Sequence, residues 1–261
     1  MALNEYIAER KKTLSNTNRP ALIMTHVVCG YPSFEDNWKE LEIMQEFGVD
    51  LVELQFPFSE PSADGPLFVK ANQEAISNGV HVDDCFAFMQ KVTDHFSFKV
   101  VMMGYYNTVF KTGQTNFMNR LKEAGGEGFI LPDLPVDEAS ELHALAKELD
   151  LSPIVLMTPT NTDERLKQLA SCADGFIYTV ARKGVTGSNT NMNDEVSSFI
   201  TRCRKFTDIP LAVGFGVSDA NDVCFIGQHA DIAVIGTAAL KAWENGREDA
   251  LRAFFTKLLP N

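Results

Sequence analysis

VDLVELQFPFSEPSADGP, running from Val49 to Pro66, carries an apolar strand into a carboxylate and then into a long polar connection. Side chains alternate along a strand, so Leu51, Glu53 and Gln55 share one face, and Val52, Leu54 and Phe56 share the other. A glutamate at that strand end is either solvated or salt-bridged, or it is set there for chemistry. A second acid, Asp64, lies in the tight turn Ala63-Asp64-Gly65-Pro66. Taken alone, Asp64 reads as the cap of a helical segment opening near Pro66. Taken with Glu53, it makes a plausible proton-transfer pair.

Working outward, short β-rich runs recur along the chain. They are Ala21 to Val28, Val49 to Leu54, Lys99 to Met103, Gly128 to Leu131, Pro153 to Met157, Gly175 to Val180, Pro210 to Gly214 and Ile232 to Gly236. Helical stripes lie between them: Phe34, Trp38, Leu41 and Met44; Leu142, Leu145, Ala146 and Leu149; and, at the end, Leu251, Phe254, Phe255 and Leu258. Apolar strands joined by helical crossovers require a parallel sheet covered by helices. Eight such units predict a (β/α)8 TIM barrel with an extra N-terminal helix, an α/β fold, with a doubly wound open sheet as the alternative that periodicity does not separate. In a barrel the chemistry gathers where strands end. Two connections there are long enough to act as lids or partner surfaces: Gln55 to about Lys70, and Ala181 to Asn193.

The 261 residues carry no Gly/Ser-rich or Pro-rich break, so a single domain over residues 1–261 is expected. A formal charge of -12 opposes attraction to nucleic acid or anionic membranes and favours a small-molecule substrate or a protein partner. Five scattered cysteines without a C-x-x-C pair suggest neither a disulfide framework nor a zinc cage. With no signal-like leader and no run of 18 apolar residues, a cytoplasmic location is expected.

Glycines cluster late, at Gly184 to Gly187, Gly214 to Gly216 and Gly236 to Ala239. They are either ordinary turns or a place where backbone N–H groups meet an anion, assisted by the positive end of a helix opening near Thr237. Tyr105 and Tyr178 each end a strand and either pack under a loop or line an apolar pocket with a polar tip. No histidine has metal-ligand spacing, and neither a P-loop nor a G-x-G-x-x-G fingerprint occurs, so neither a metal nor a nucleotide cofactor is indicated.

With these residues assembled, the chain resembles the tryptophan synthase α subunit family over nearly its whole length. The likeness rests on Glu53 to Pro66, Tyr105 to Asn107, PDLPVDE at Pro132 to Glu138, GFIYTVARKGVTG at Gly175 to Gly187 and GFGVS at Gly214 to Ser218. The resemblance implies cleavage of indole-3-glycerol phosphate to indole and glyceraldehyde 3-phosphate without metal or organic cofactor. It also implies a β-subunit partner in an α2β2 heterotetramer. By the same likeness Glu53 is the acid/base and Asp64 holds the indole N–H. Gly187, Gly216, Gly236 and Thr237 match the phosphate ligands, and Tyr178 matches a tyrosine beside the catalytic glutamate. Phe215 matches a pocket-lining phenylalanine, and Thr186 matches a lid threonine that reaches the catalytic aspartate on closure.

The chain also departs from the pattern. Gln55 stands where the family usually has glycine, and His26 where a phenylalanine is common. Glu60, Ser62, Ala181 and Lys183 are further departures. Gln55 is expected to project into the same pocket as Glu53, where it would crowd the substrate or hydrogen-bond that acid and alter its proton affinity. Gln55, Glu60 and His26 motivate one alternative, a weakly catalytic subunit that mainly binds and activates a β partner, and the phosphate site motivates another, a related phosphosugar lyase or isomerase with another substrate.

Overall fold

The computed structural model describes residues 2–14, 19–180, 194–214 and 216–259. The elements follow in the order α1 (Leu3–Leu14), β1 (Leu22–Val28), α2 (Phe34–Glu46), β2 (Leu51–Gln55), α3 (Pro66–Ser77), α4 (Val82–His95), β3 (Lys99–Met103), α5 (Tyr106–Thr112), α6 (Gln114–Glu123) and β4 (Gly128–Ile130). After a short 3-10 turn come α7 (Ser140–Glu148), β5 (Ser152–Met157), α8 (Asp163–Cys172), β6 (Ile177–Thr179), α9 (Asp194–Arg204), β7 (Leu211–Gly214), α10 (Ala220–His229), β8 (Ile232–Ile235) and α11 (Thr237–Leu258). Each strand pairs in parallel with the next, and β8 pairs with β1, so the sheet is a closed barrel and the open-sheet alternative falls away.

Alternation along each strand sorts the apolar residues into two layers. Ile23, Val52, Leu54, Val100, Met102, Val213 and Ile235 face outward into the shell beneath the helices. There they meet the stripes read from the sequence, with Leu41, Met44, Leu142, Ala146, Leu251 and Phe255 buried. Leu22, Met24, Leu51, Val101, Ile130, Phe176 and Val234 belong instead to the barrel interior. Helix α1 adds Leu3, Ile7 and Leu14 to that inner cluster, so the expected extra helix caps the N-terminal end of the barrel.

Ion pairs hold the cap. Both oxygens of Asp50, which immediately precedes β2 and is fully buried, are used: Oδ1 accepts from Arg10 at 2.7 and 2.9 Å, and Oδ2 accepts from Arg19 and from the Ile23 N–H. Asp231, just before β8, pairs with Lys11 and Arg204 and accepts from the Leu211 N–H at 2.8 Å. Two strand starts on either side of β1 are thereby tied to one helix.

Seven of the eight strands differ from the sequence expectation by one or two residues at an end, and Lys99–Met103 agrees with it. The difference that matters is Gln55, which the sequence alone places at the start of a loop. It closes β2 instead, because its backbone still pairs with Val28 and Met103 on either side. The following connection therefore runs from Phe56 to Gly65. The second long connection, Ala181 to Asn193, lies outside the described residues.

Deleting a buried charge that neutralises two cations and satisfies a buried N–H costs more than deleting one partly exposed partner. Asp50→Ala is expected to lower the unfolding free energy by about 3–5 kcal/mol, and Arg10→Ala by no more than about 1 kcal/mol, as measured by urea denaturation. Equal costs would refute the view of Asp50 as the anchor.

Candidate active site

The inner face of β2 reads Leu51, Glu53, Gln55 from the barrel floor toward its C-terminal mouth, as alternation required. The Glu53 backbone is in register with His26 on β1 and Val101 on β3, so Glu53 and His26 are neighbours on the inward surface. Glu53 is 3 % exposed, and its Oε2 has no hydrogen-bond partner among the described residues. An orphan buried carboxyl oxygen is costly if ionised. Burial, and next the nearby charge of Asp64, push the Glu53 carboxyl up to about 8, so it holds its proton at neutral pH.

Asp64 is not the helix cap that it resembled in isolation. Gly65 occupies the N-cap of α3 without any side-chain capping bond, and Pro66 opens the helix. The Asp64 side chain instead enters the barrel mouth, where Oδ2 accepts from Gln55 Nε2 at 2.6 Å and from the Tyr105 hydroxyl at 3.2 Å. Burial raises its carboxyl to about 6, and these two hydrogen bonds oppose the rise. The two acids are thus pushed apart in proton affinity, with Asp64 ionising first.

The Phe56–Gly65 connection is held from both sides. Tyr105, 1 % exposed, accepts from the Ala63 N–H at 3.0 Å while donating to Asp64, and Phe58 stacks on its ring at 5.0 Å. Of the two roles weighed for Tyr105, these contacts are those of packing under a loop. Buried Asn72 of α3 adds a second brace, accepting from the Phe58 N–H at 2.9 Å and donating to the Phe68 carbonyl at 2.8 Å.

Gln55 does not hydrogen-bond Glu53. Its Oε1 lies 2.8 Å from His26 Nε2, and its Nε2 donates to Asp64. His26 in turn stacks on Phe68 with centroids 4.2 Å apart and planes 13° from parallel, and burial lowers its pKa to about 4. Residue type and alternation alone hid these partners, because Phe68 and Asn72 belong to the next helix and Asp64 is nine residues away.

Across the mouth, Tyr178 on β6 is held well above its ordinary pKa by burial, with the charges of Glu53 and Asp64 adding to the shift. Its approach explains Gly214: a Cβ built there would lie 2.6 Å from the Tyr178 oxygen. Gly216 follows with a positive φ of 74°, which favours glycine. Gly236 stands at the N-cap of α11 with no side chain capping the helix, and Thr237 is its first residue, so the backbone N–H groups of that turn point out of the helix beside the mouth. A Cβ on Gly236 would come 3.3 Å from Phe68 and 3.6 Å from His26, which ties this turn to the same pocket. Thr186, Gly187 and Phe215, singled out from the sequence, lie outside the described residues.

The arrangement offers one protonated carboxyl, one carboxylate, aromatic walls and an anion-attracting helix start at a single barrel mouth. It can protonate and deprotonate a bound molecule while balancing a positive charge beside it.

Known proteins resemble the chain in both sequence and fold. The family model described as tryptophan synthase alpha chain matches residues 12–258. The tryptophan synthase alpha chain of Desulforapulum autotrophicum is 43 % identical over 98 % of this chain and 99 % of its own length, and that of Desulfotalea psychrophila is 42 % identical over 99 % and 100 %. A solved chain of Mycobacterium tuberculosis tryptophan synthase superposes with a TM-score of 0.89 at 31 % identity, covering 97 % of this chain and 96 % of that one. A chain of the Pyrococcus furiosus tryptophan synthase a2b2 complex superposes with a TM-score of 0.85 at 30 % identity, covering 93 % and 99 %. Matched from end to end in sequence and in fold, the chain belongs to the tryptophan synthase alpha chain family.

Proposed function

We propose that this barrel cleaves indole-3-glycerol phosphate to indole and glyceraldehyde 3-phosphate, with Glu53 and Asp64 as its catalytic pair. The observation that carries the proposal is the split between the two buried carboxyls, one near 8 and the other near 6. Between those values Glu53 is an acid and Asp64 an anion, the protonation state that the reaction needs at its start.

Glu53 gives its proton to ring carbon C3, so no free indolyl carbanion has to leave. Positive charge then grows on the ring nitrogen, whose N–H is held by the Asp64 carboxylate. Glu53, now ionised, takes the proton from the hydroxyl on the carbon attached to C3. That carbon–carbon bond breaks, its electron pair returns to the ring, and the aldehyde forms. Glu53 ends protonated, as it began, and the acid/base balance closes without another group.

The phosphate is assigned to backbone rather than to lysines: Gly216, Gly236 and Thr237, joined by Gly187. This suits a chain whose formal charge is -12. Tyr178 and Phe215 serve as walls for the flat ring, and Thr186 as the lid group that engages Asp64 when the loop closes over the site.

The partner we assign is a tryptophan synthase β subunit in an α2β2 assembly, the composition named for the P. furiosus relative. Phe110, on the short helix that follows β3, is 67 % exposed, the largest exposure of any large hydrophobic among the described residues. It borders a groove lined by Gln114, Asn116, Glu141, Ala144, Leu145 and Glu148, which suits a partner contact that has one aromatic anchor within a polar rim. Phe110→Glu is expected to weaken association with the β subunit at least about tenfold and to abolish stimulation by it, while indole release by the chain alone stays as in the wild type. Unchanged association, measured by titration calorimetry, would move the interface elsewhere.

Indole release should follow a bell-shaped pH dependence with limbs near 6 and 8 that belong to the acid pair together. Glu53→Gln should reduce the rate by about 100-fold or more. The same change should stabilise the protein at alkaline pH. A carboxyl raised from 4.5 to about 8 keeps its proton in the fold while the unfolded chain loses its own, so stability is whole below pH 4.5 and falls as pH rises toward 8. The melting temperature of Glu53→Gln should therefore equal that of the wild type near pH 4.5 and exceed it by several degrees at pH 8. A variant no more stable at pH 8 would show that Glu53 is not held protonated.

A further inference from the structure

The link between His26, Gln55 and Asp64 has no part in the proton transfers above. Gln55 is fully buried, and its amide can face Asp64 in only one sense. An ionised carboxylate accepts only, so the amide N–H2 must point at Asp64 and Oε1 must point at His26. That in turn requires the proton of the neutral imidazole to sit on Nε2, which donates to Oε1 across 2.8 Å. The imidazole is fixed by its stack on Phe68. A rigid wall group therefore orients an amide, and the amide orients a carboxylate. Both hydrogen bonds that reach Asp64 fall on Oδ2, leaving Oδ1 with none among the described residues.

We propose that Gln55, braced by His26, is a positioning residue for Asp64: it pins Oδ2 and so reserves Oδ1 for the ring N–H of the substrate. This rests on the cleavage reading given above and adds to it a chain-specific device that holds the anion. It reverses the expectation that Gln55 crowds the site, because the amide is spent on two bonds along the wall.

The groups facing Asp64 from neighbouring elements are Glu53 on β2, Tyr105 at the start of α5 and Tyr178 on β6, with His26 on β1 one step away. Glu53 holds its proton to about 8, both tyrosines are shifted upward, and His26 is neutral above about 4. Asp64 is thus the group of this set that titrates between pH 5 and 7.

The test uses the full chain with Gln55→Met, which keeps length and bulk but removes both bonds, and with His26→Phe, which keeps Gln55 but frees its Oε1. The readouts are indole release against pH and the 13C carboxyl titration of Asp64. In Gln55→Met, kcat should fall about tenfold with KM within about twofold, and the acidic limb and the Asp64 titration should both move up by roughly half to one pH unit, because the donor that favoured the carboxylate is gone. His26→Phe should move both in the same direction by less, and keeps the test open if Gln55→Met does not fold. The double variant should be no worse than Gln55→Met alone, as expected of two groups acting in series. An unshifted Asp64 titration in both variants, or a gain in kcat in Gln55→Met, would overturn the proposal. Absence of indole from the wild type would instead refute the cleavage reading, and the Asp64 titration would still decide the role of Gln55.

Discussion

Closure of the sheet leaves the inward side chains of β2 no direction but the barrel axis. In an open sheet, Glu53 would have solvent or a helix to turn toward. In this barrel it is 3 % exposed, with one carboxyl oxygen unpaired among the described residues, and Gln55 above it is fully buried. One strand therefore supplies three things in succession at two-residue intervals: packing from Leu51, an acid from Glu53 and an orienting amide from Gln55. The proton affinity of Glu53, the seat of Asp64 and the tautomer of His26 all follow from that imposed direction.

The fold was legible because its signal repeats. Eight apolar runs separated by amphipathic helices admit few arrangements, and errors of a residue or two at strand ends do not change the topology. Gln55 is where such an error mattered: a polar residue before Phe-Pro reads as loop, yet pairing on both sides extends the strand through it. Position alone left Glu53 open between a solvated strand end and a group set for chemistry, and its burial makes it a candidate site residue. Asp64 alone read as a helix cap, since the Asp-Gly-Pro turn has the composition of a helix start, and the contacts with Gln55 and Tyr105 show its side chain turned inward beside Glu53's strand. The His26 link and the Asn72 brace join residues far apart in the chain, and no local pattern records them. Family likeness named the pocket residues but not these contacts, of which only His26 and Gln55 are among this chain's own departures.

The site also shows how an acidic protein is suited to an anionic ligand. Burial makes one of its two acids neutral, so the pocket carries less negative charge than its composition implies. The start of α11, open at Gly236, adds positive potential without any cation. Local dipoles and desolvation, rather than net charge, govern what the mouth attracts.

Helix α1 has a bearing on how the chain is made. Its apolar residues need the barrel floor, and its basic residues need Asp50 beside β2 and Asp231 beside β8. The Lys11–Asp231 pair thus joins α1 to a residue 220 positions further along the chain, immediately before β8. A nascent chain released before Asp231 emerges has an unsatisfied amphipathic helix at one end and an unpaired edge on β1 at the other side of the gap. Such a chain is a substrate for chaperones or for association with another copy of itself. Synthesis of β8 supplies the partners that both lack, which couples barrel closure to helix docking.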